Sequence, residues 1–272
     1  MVDLSKRVAV ITGGASGIAR ALCRQLGREG VRAIGVVDFS DAVDGVCREV
    51  NAEMGREVLA PFRGDVTDRA FRRRVFDDMK SRYGGVTTCV PAAGITRDAI
   101  AVRVDKETRR ASVYDQDTFE KVVAVNLTAA AYWAMETVAS VAEQRAASGA
   151  GRWKPTDPIA GEVVFIGSIS SLGNKGQVSY AATKAALEGV SATLAKEAIF
   201  YGVRSAIVHP GFTDTPMVRA MDRDLLEQQI LPRTQLGRLL QPEEVAEAIC
   251  FMIKNPAVTG SLWADAGWHP PA

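Results

Sequence analysis

The chain has 272 residues, 47% hydrophobic and 24% charged, with a formal net charge of +1 at pH 7. That apolar share excludes disordered, collagenous and low-complexity classes, and the near-zero charge argues against a nucleic-acid partner bound by phosphate neutralisation. At roughly 150 residues per domain one or two domains fit; α/β chains often reach this length as one, so residues 1–272 read as a single domain.

Cys23, Cys47, Cys89 and Cys250 are widely spaced, and the two histidines, His209 and His269, make no cluster with them. No metal site is expected, and a reducing compartment fits best. Met1 to Lys6 lack the apolar core of a signal peptide, and Pro270-Pro271-Ala272 is neither a peroxisomal nor a retention address. No stretch is read as approaching the roughly 18 apolar residues of a membrane helix. The expectation is a cytoplasmic chain with a small-molecule substrate and no membrane or nucleic-acid partner.

The first element in chain order is a β-branched run at 8–11, ending at Thr12-Gly13-Gly14 and followed by a helical pattern at 17–29. A run at 33–37 ends at Asp38 and leads to a helix at 41–54. A third at 58–62 leads to Asp65-Val66 and a helix at 68–83, whose Arg72-Arg73-Arg74 reads as a solvated face. A fourth at 87–90 ends at Pro91-Ala92-Ala93-Gly94. An Arg-rich stretch near 96–117 reads as an inserted loop, before a long helix at 117–146. A second inserted loop near 147–161 carries Gly149, Gly151, Pro155 and Pro158. A strand at 162–166 then ends at Gly167-Ser168, a helix covers 178–201, and a strand at 203–208 ends at Pro210-Gly211. A helix at 242–254 and a strand at 261–264 close the pattern. Short apolar strands alternating with helices predict an α/β fold, a doubly wound parallel sheet of about seven strands with helices on both faces. Ligands in such sheets bind at the carboxyl ends of the strands, where Gly, Asp, Ser and Pro collect here.

The loop Thr12-Gly13-Gly14-Ala15-Ser16-Gly17-Ile18-Ala19 follows a strand and opens a helix. Glycines there permit a tight turn, bring backbone N–H groups to a pyrophosphate and add the partial positive charge of a helix start. Asp38 stands about 20 residues further on, where a carboxylate accepts hydrogen bonds from an adenosine ribose and repels a 2′-phosphate. NAD(H) is therefore expected over NADP(H). Arg20 and Arg32 read as surface charges, and the plainer role for Asp38 is a turn or helix cap.

Tyr180 and Lys184 are one helical turn apart. A phenol has a pKa of about 10, and a nearby ammonium stabilises its anion, so the pair suits proton transfer. Ser168, at a strand end, offers a hydroxyl to a substrate oxygen or serves as a turn residue.

With Asn126 in Val125-Asn126-Leu127 and Thr215 added, this order and spacing resembles the short-chain dehydrogenase/reductase family over nearly the whole chain. The resemblance implies a Rossmann-type fold and a reaction between a secondary alcohol and a ketone. It makes Tyr180 the general acid/base and has Lys184 lower the tyrosine's pKa and bind the nicotinamide ribose. Ser168 would orient the substrate oxygen, and Asn126 would hold a water that extends a proton relay. Cofactor contacts are implied for Thr12, Gly13, Ala15, Ser16, Gly17, Ile18, Asp38, Asp65, Val66, Ala93, Gly94, Pro210, Gly211, Thr213 and Thr215, besides Tyr180 and Lys184. Departures are Ala19 for the last loop glycine, Pro91-Ala92 for a pair of asparagines, and Asp265-Ala266-Gly267 for Asp-Gly-Gly; a local change in packing is expected.

Gly94 to Asp98 and Gly237-Arg238-Leu239 resemble β-ketoacyl carrier-protein reductases, which usually take NADPH. The two insertions resemble in placement those of NAD-dependent type II 3-hydroxyacyl-CoA dehydrogenases. Their shared substrate class is a 3-oxoacyl or 3-hydroxyacyl thioester, with a steroid, sugar or small secondary alcohol as alternatives. Arg103, Lys106, Arg109 and Arg110 would face the phosphates of coenzyme A or read as a solvated loop. Residues 213–232, with Met217, Met221, Leu225 and Leu226, read as a substrate lid or as helix core. A homotetramer or homodimer is implied, through Ala-rich faces such as Ala129-Ala130-Ala131 and Ala185-Ala186. A non-catalytic dinucleotide-binding regulator is the alternative of another class.

Overall fold

A computed structural model describes residues 1–268, so His269 and Pro270-Pro271-Ala272 lie outside the described residues. Seven strands form one sheet: β1 Val8–Thr12, β2 Ala33–Asp38, β3 Leu59–Arg63, β4 Thr88–Pro91, β7 Gly161–Ile166, β8 Val203–Pro210 and β9 Gly260–Ala264. Two more, β5 Val102–Val104 and β6 Ala111–Val113, form a separate hairpin. The order in the large sheet is β3-β2-β1-β4-β7-β8-β9, and every pairing is parallel. The chain winds outward from β1 to β3, returns to β4 on the other side of β1, and winds outward again. A crevice opens beyond the carboxyl ends at such a reversal.

The central strand shows why these residues form a sheet. Val8, Ala9, Val10 and Ile11 are at most 2% exposed, which both faces of a covered parallel strand require. Helices α1 Gly17–Arg28, α2 Ala42–Met54 and α9 Pro242–Lys254 bury Leu22, Cys47 and Ile249 against one face. The other face takes Met79 of α3 Arg69–Tyr83, Trp133 of α5 Ala130–Ala147 and Leu187 of α6 Val178–Glu197. Each such side chain contributes about 1.5–3 kcal/mol when fully buried. The helix ends follow local chemistry. Asp68 accepts the Ala70 N–H at 2.8 Å to start α3, which ends at Gly84 with φ +88°, a left-handed turn that suits glycine.

Several expectations need correction. The stretch read as a loop near 96–117 contains the β5–β6 hairpin; its strands are short and exposed on both faces, so no apolar alternation marks them. The helix read at 117–146 is α4 Gln116–Val123, a π-helical turn at Ala124–Ala129 and α5. This run, Gln116–Ala147, is long and apolar enough by length and composition to cross a membrane, contrary to the sequence reading. Its apolar residues serve the core, where Ala129, Ala130, Trp133 and Ala134 pack on the sheet. Arg72 is not solvated: it is 5% exposed and lies 5.1 Å from the centroid of the Tyr132 ring. Residues 213–232 hold α7 Pro216–Arg219, α8 Arg223–Leu225 and two further turns, with Met217 and Leu225 exposed and not in the core.

Candidate active site

The glycine loop is built by close approach. Gly13 has φ +73°, and a Cβ there would stand 3.0 Å from Ala93 Cα. Gly17 has φ +54°, and a Cβ there would meet Thr215 Cγ2 at 3.1 Å. Segments following β1, β4 and β8 therefore converge, and side chains at these two positions would fill the cradle between them. Thr12 Oγ1 accepts the Ala93 N–H at 2.9 Å and locks β1 to β4. Ser16 precedes α1 without capping it through its side chain, so first-turn N–H groups are left for an anion. Asp38 Oδ2 accepts the Ala15 N–H and Oδ1 the Ser40 N–H, both at 2.9 Å, which fixes the carboxylate at the rim of the crevice. Arg20 is held by Glu49 at 2.7 Å.

At the other end, β7 runs into Ser168, and α6 carries Tyr180 and Lys184 past it. Ser168 Oγ accepts the Ser170 N–H at 3.0 Å, and its hydroxyl faces the Tyr180 phenol. Burial pushes the Tyr180 phenol above its ordinary value; the Ser168 hydroxyl beside it pulls the other way, and Asp98 adds to the rise. Lys184 is 4% exposed, donates to Ile166 O at 2.7 Å and lies 5.5 Å from the centroid of the Tyr180 ring. Burial pushes its ammonium down from 10.5 to about 8. Desolvation dominates the phenol in the free chain, and the lowering expected from Lys184 is not among the influences on it.

A cleft of about 620 Å³ joins the two ends. Gly13, Ser16, Gly17, Ile18, Asp38, Asp65, Val66, Ala93 and Gly94 line it, as do Ser168, Tyr180, Lys184, Pro210, Gly211, Thr213 and Thr215. Its volume, the uncapped helix start and the glycine cradle suit a dinucleotide. Three sequence candidates stand behind the wall. Thr12 and Ala15 hold Ala93 and Asp38, as above. Asn126 is 1% exposed in the π-helical turn, a rare geometry found often at functional sites. Its amide oxygen accepts the Ile95 N–H at 2.8 Å and its nitrogen donates to Ile95 O at 2.9 Å, so the side chain braces the segment after β4.

The sequence reading missed Phe39, Asp98, Gln177 and Phe212, which also line the cleft. Gln177 donates to Asp98 Oδ2 at 2.8 Å across a long span of chain, and no local signal marks that pair. Of the stripe at 213–232, Met217 and Met221 line the cleft, whereas Leu225 and Leu226 do not. The hairpin is rooted at this mouth: Ala99 N–H donates to Gly176 O at 2.8 Å, and Tyr114 donates to Arg97 O at 2.6 Å.

A family model described as enoyl-(acyl carrier protein) reductase matches residues 13–269. The 3-oxoacyl-(acyl-carrier-protein) reductase FabG of Thermotoga maritima is 32% identical over 262 residues, covering 95% of this chain and 96% of that protein. The protein of the same name from Escherichia coli is 28% identical over 272 residues, covering 98% and 99%. The (3R)-3-hydroxyacyl-CoA dehydrogenase of Canis lupus familiaris is 30% identical over 270 residues, covering 95% and 94%.

Proposed function

The chain belongs to the short-chain dehydrogenase/reductase family, oxidoreductases acting on CH–OH groups, and on that premise we propose that it interconverts 3-oxoacyl and 3-hydroxyacyl thioesters with a nicotinamide dinucleotide. The observation that carries this reading is the convergence of Ser168, Tyr180 and Lys184 on the cleft that the glycine loop opens. The substrate class rests on the names of the relatives.

When bound, the nicotinamide supplies or takes up a hydride at the substrate carbon. Tyr180 holds the proton that ends on the substrate oxygen, and burial keeps its phenol protonated at neutral pH, which suits donation in the reducing direction. Lys184, charged below about 8, stabilises negative charge left on the phenol oxygen. Ser168, whose hydroxyl faces the Tyr180 phenol in the free chain, donates its hydrogen to the same substrate oxygen. Asn126 holds Ile95, and through it the wall beside Gly94.

Asp38 supports NAD(H) over NADP(H): its carboxylate lies on the cleft rim, and Arg20 is engaged by Glu49. Arg103, Lys106, Arg109 and Arg110 make no ion pair among the described residues, which supports their contact with the phosphates of a coenzyme A thioester. Ala185 and Ala186 of α6 are exposed, which supports packing against a second copy there; Ala129 and Ala130 are spent on the core.

The test is oxidation of NADH by acetoacetyl-CoA, with NADPH and Tyr180→Phe as controls. Turnover with NADH, weaker with NADPH, and a kcat about 10²–10⁴-fold lower in the variant is the expected result. No turnover by a chain that binds NADH contradicts the thioester assignment.

A further inference from the structure

His209, on β8, is 0% exposed, and its ring stacks on Trp263 of β9 with centroids 4.2 Å apart. Its Nδ1 stands 3.3 Å from Ser168 N and 3.3 Å from Ser168 O, and 3.1 Å from Ser171 Oγ. Its Nε2 is buried without a hydrogen-bond partner, 3.8 Å from Glu188 Oε1.

A ring nitrogen plays one role at a time: bare, it accepts; protonated, it donates. Ser171 Oγ already donates to Ser168 O. The arrangement that satisfies both backbone polar groups of Ser168 therefore has Nδ1 bare, accepting the Ser168 N–H, with the proton on Nε2 toward Glu188. Adding a proton to Nδ1 turns the acceptor into a donor, which turns to Ser171 Oγ or to Ser168 O and leaves the buried Ser168 N–H unpaired.

We propose that His209 is a positioning residue for Ser168: its neutral ring holds the peptide from which the Ser168 hydroxyl is presented to the cleft, and protonation of Nδ1 releases that peptide. This rests on the role given to Ser168 above. The charged groups acting on the ring are Lys184 and Glu188, both from α6; the turn at Ile169–Leu172 brings Ser171, and β9 brings Trp263. Burial holds the imidazole below its ordinary 6.5, against the pull of the Ser168 backbone and Glu188 and with that of Lys184. Release therefore falls on the acid side.

The experiment compares kcat and KM from pH 5 to 8 for wild type, His209→Asn and His209→Phe, using NADH and acetoacetyl-CoA. In wild type, kcat should fall below pH 6.5 as one proton binds, with the KM for NADH unchanged. His209→Phe keeps the ring stack and offers no acceptor, so kcat should drop about tenfold or more at every pH. His209→Asn places an amide oxygen near the Nδ1 position and does not titrate; it should recover most of the neutral-pH kcat and lack the acid limb. An acid limb that persists in His209→Asn overturns the proposal, whether or not His209→Phe folds. A second readout stands apart from turnover: nitrogen-15 NMR of His209, one of 2 histidines, in the wild-type chain. It should show Nδ1 bare at neutral pH and the Ser168 amide shifting with the ring's titration. If acetoacetyl-CoA is not turned over but these shifts are seen, the substrate assignment fails and the positioning contact stands. A protonated Nδ1 at neutral pH overturns the contact itself.

Discussion

The two ends of the parallel sheet bury charge in opposite ways. At the amino ends, Glu162 is 1% exposed and accepts from Arg7 Nη2 at 2.8 Å, Arg7 Nε at 3.0 Å and Thr88 Oγ1 at 3.1 Å. Arg7 also donates to Ile159 O at 2.7 Å. At the carboxyl ends, Lys184 is 4% exposed, yet it faces a peptide carbonyl and an aromatic ring and makes no ion pair among the described residues. Burial shifts both groups, raising the Glu162 carboxyl against the pull of Arg7, Thr88 and Arg204 and lowering the Lys184 ammonium, but only Lys184 lines the cleft. In the proposed function the fold thus keeps structure at one end of its strands and reactivity at the other.

Removing one partner from the structural end should have the largest effect on stability. Arg7→Ala leaves the buried Glu162 without its ion-pair partner, with only the Thr88 hydroxyl and the field of Arg204, and should cost about 3–5 kcal/mol in urea unfolding while kcat of the folded fraction stays within about twofold. Lys184→Met should do the reverse. The ammonium falls from 10.5 to about 8 on folding, so the unfolded chain binds more protons between those values. Wild-type stability should therefore rise across that window and carry its full cost at pH 7. The variant lacks this cost and should be about 1–3 kcal/mol more stable at pH 7, at about 1.4 kcal/mol per tenfold of proton affinity less the lost hydrogen bond. Its kcat should fall at least about a hundredfold. A smaller effect is expected at Asp38→Asn, which removes the repulsion of a 2′-phosphate and should move the NADH-to-NADPH ratio of kcat/KM about tenfold toward NADPH. The smallest belongs to charge reversal at Arg109 and Arg110, which should raise KM for acetoacetyl-CoA about threefold and leave KM for a short uncharged ketone unchanged. Equal changes for both substrates would remove the hairpin from the binding surface.

What could be read from the sequence was local. The glycine loop, Asp38 and the Tyr180–Lys184 turn each declare themselves within a few residues, because strand ends and helix periodicity fix where those side chains go. The core of the sheet is equally plain, since strands covered on both faces must be apolar throughout. The β5–β6 hairpin was hidden because its strands of three residues bury neither face. The π-helical turn at Ala124–Ala129 carries Asn126 to Ile95, a tertiary contact with no local signature. His209 was counted only as a residue without a metal partner. Its neighbours Ser168 and Ser171, Glu188, and Trp263 come from three separate places in the chain, and only folding brings them together.

The most direct measurement pairs unfolding free energy with kcat for Lys184→Met and Arg7→Ala in one urea and kinetic series at pH 7. The expected result is a crossed pattern: the first variant gains stability and loses turnover, and the second loses stability and keeps turnover. A Lys184→Met chain that is less stable than wild type and still turns over acetoacetyl-CoA would contradict the division of the sheet into a structural end and a reactive one.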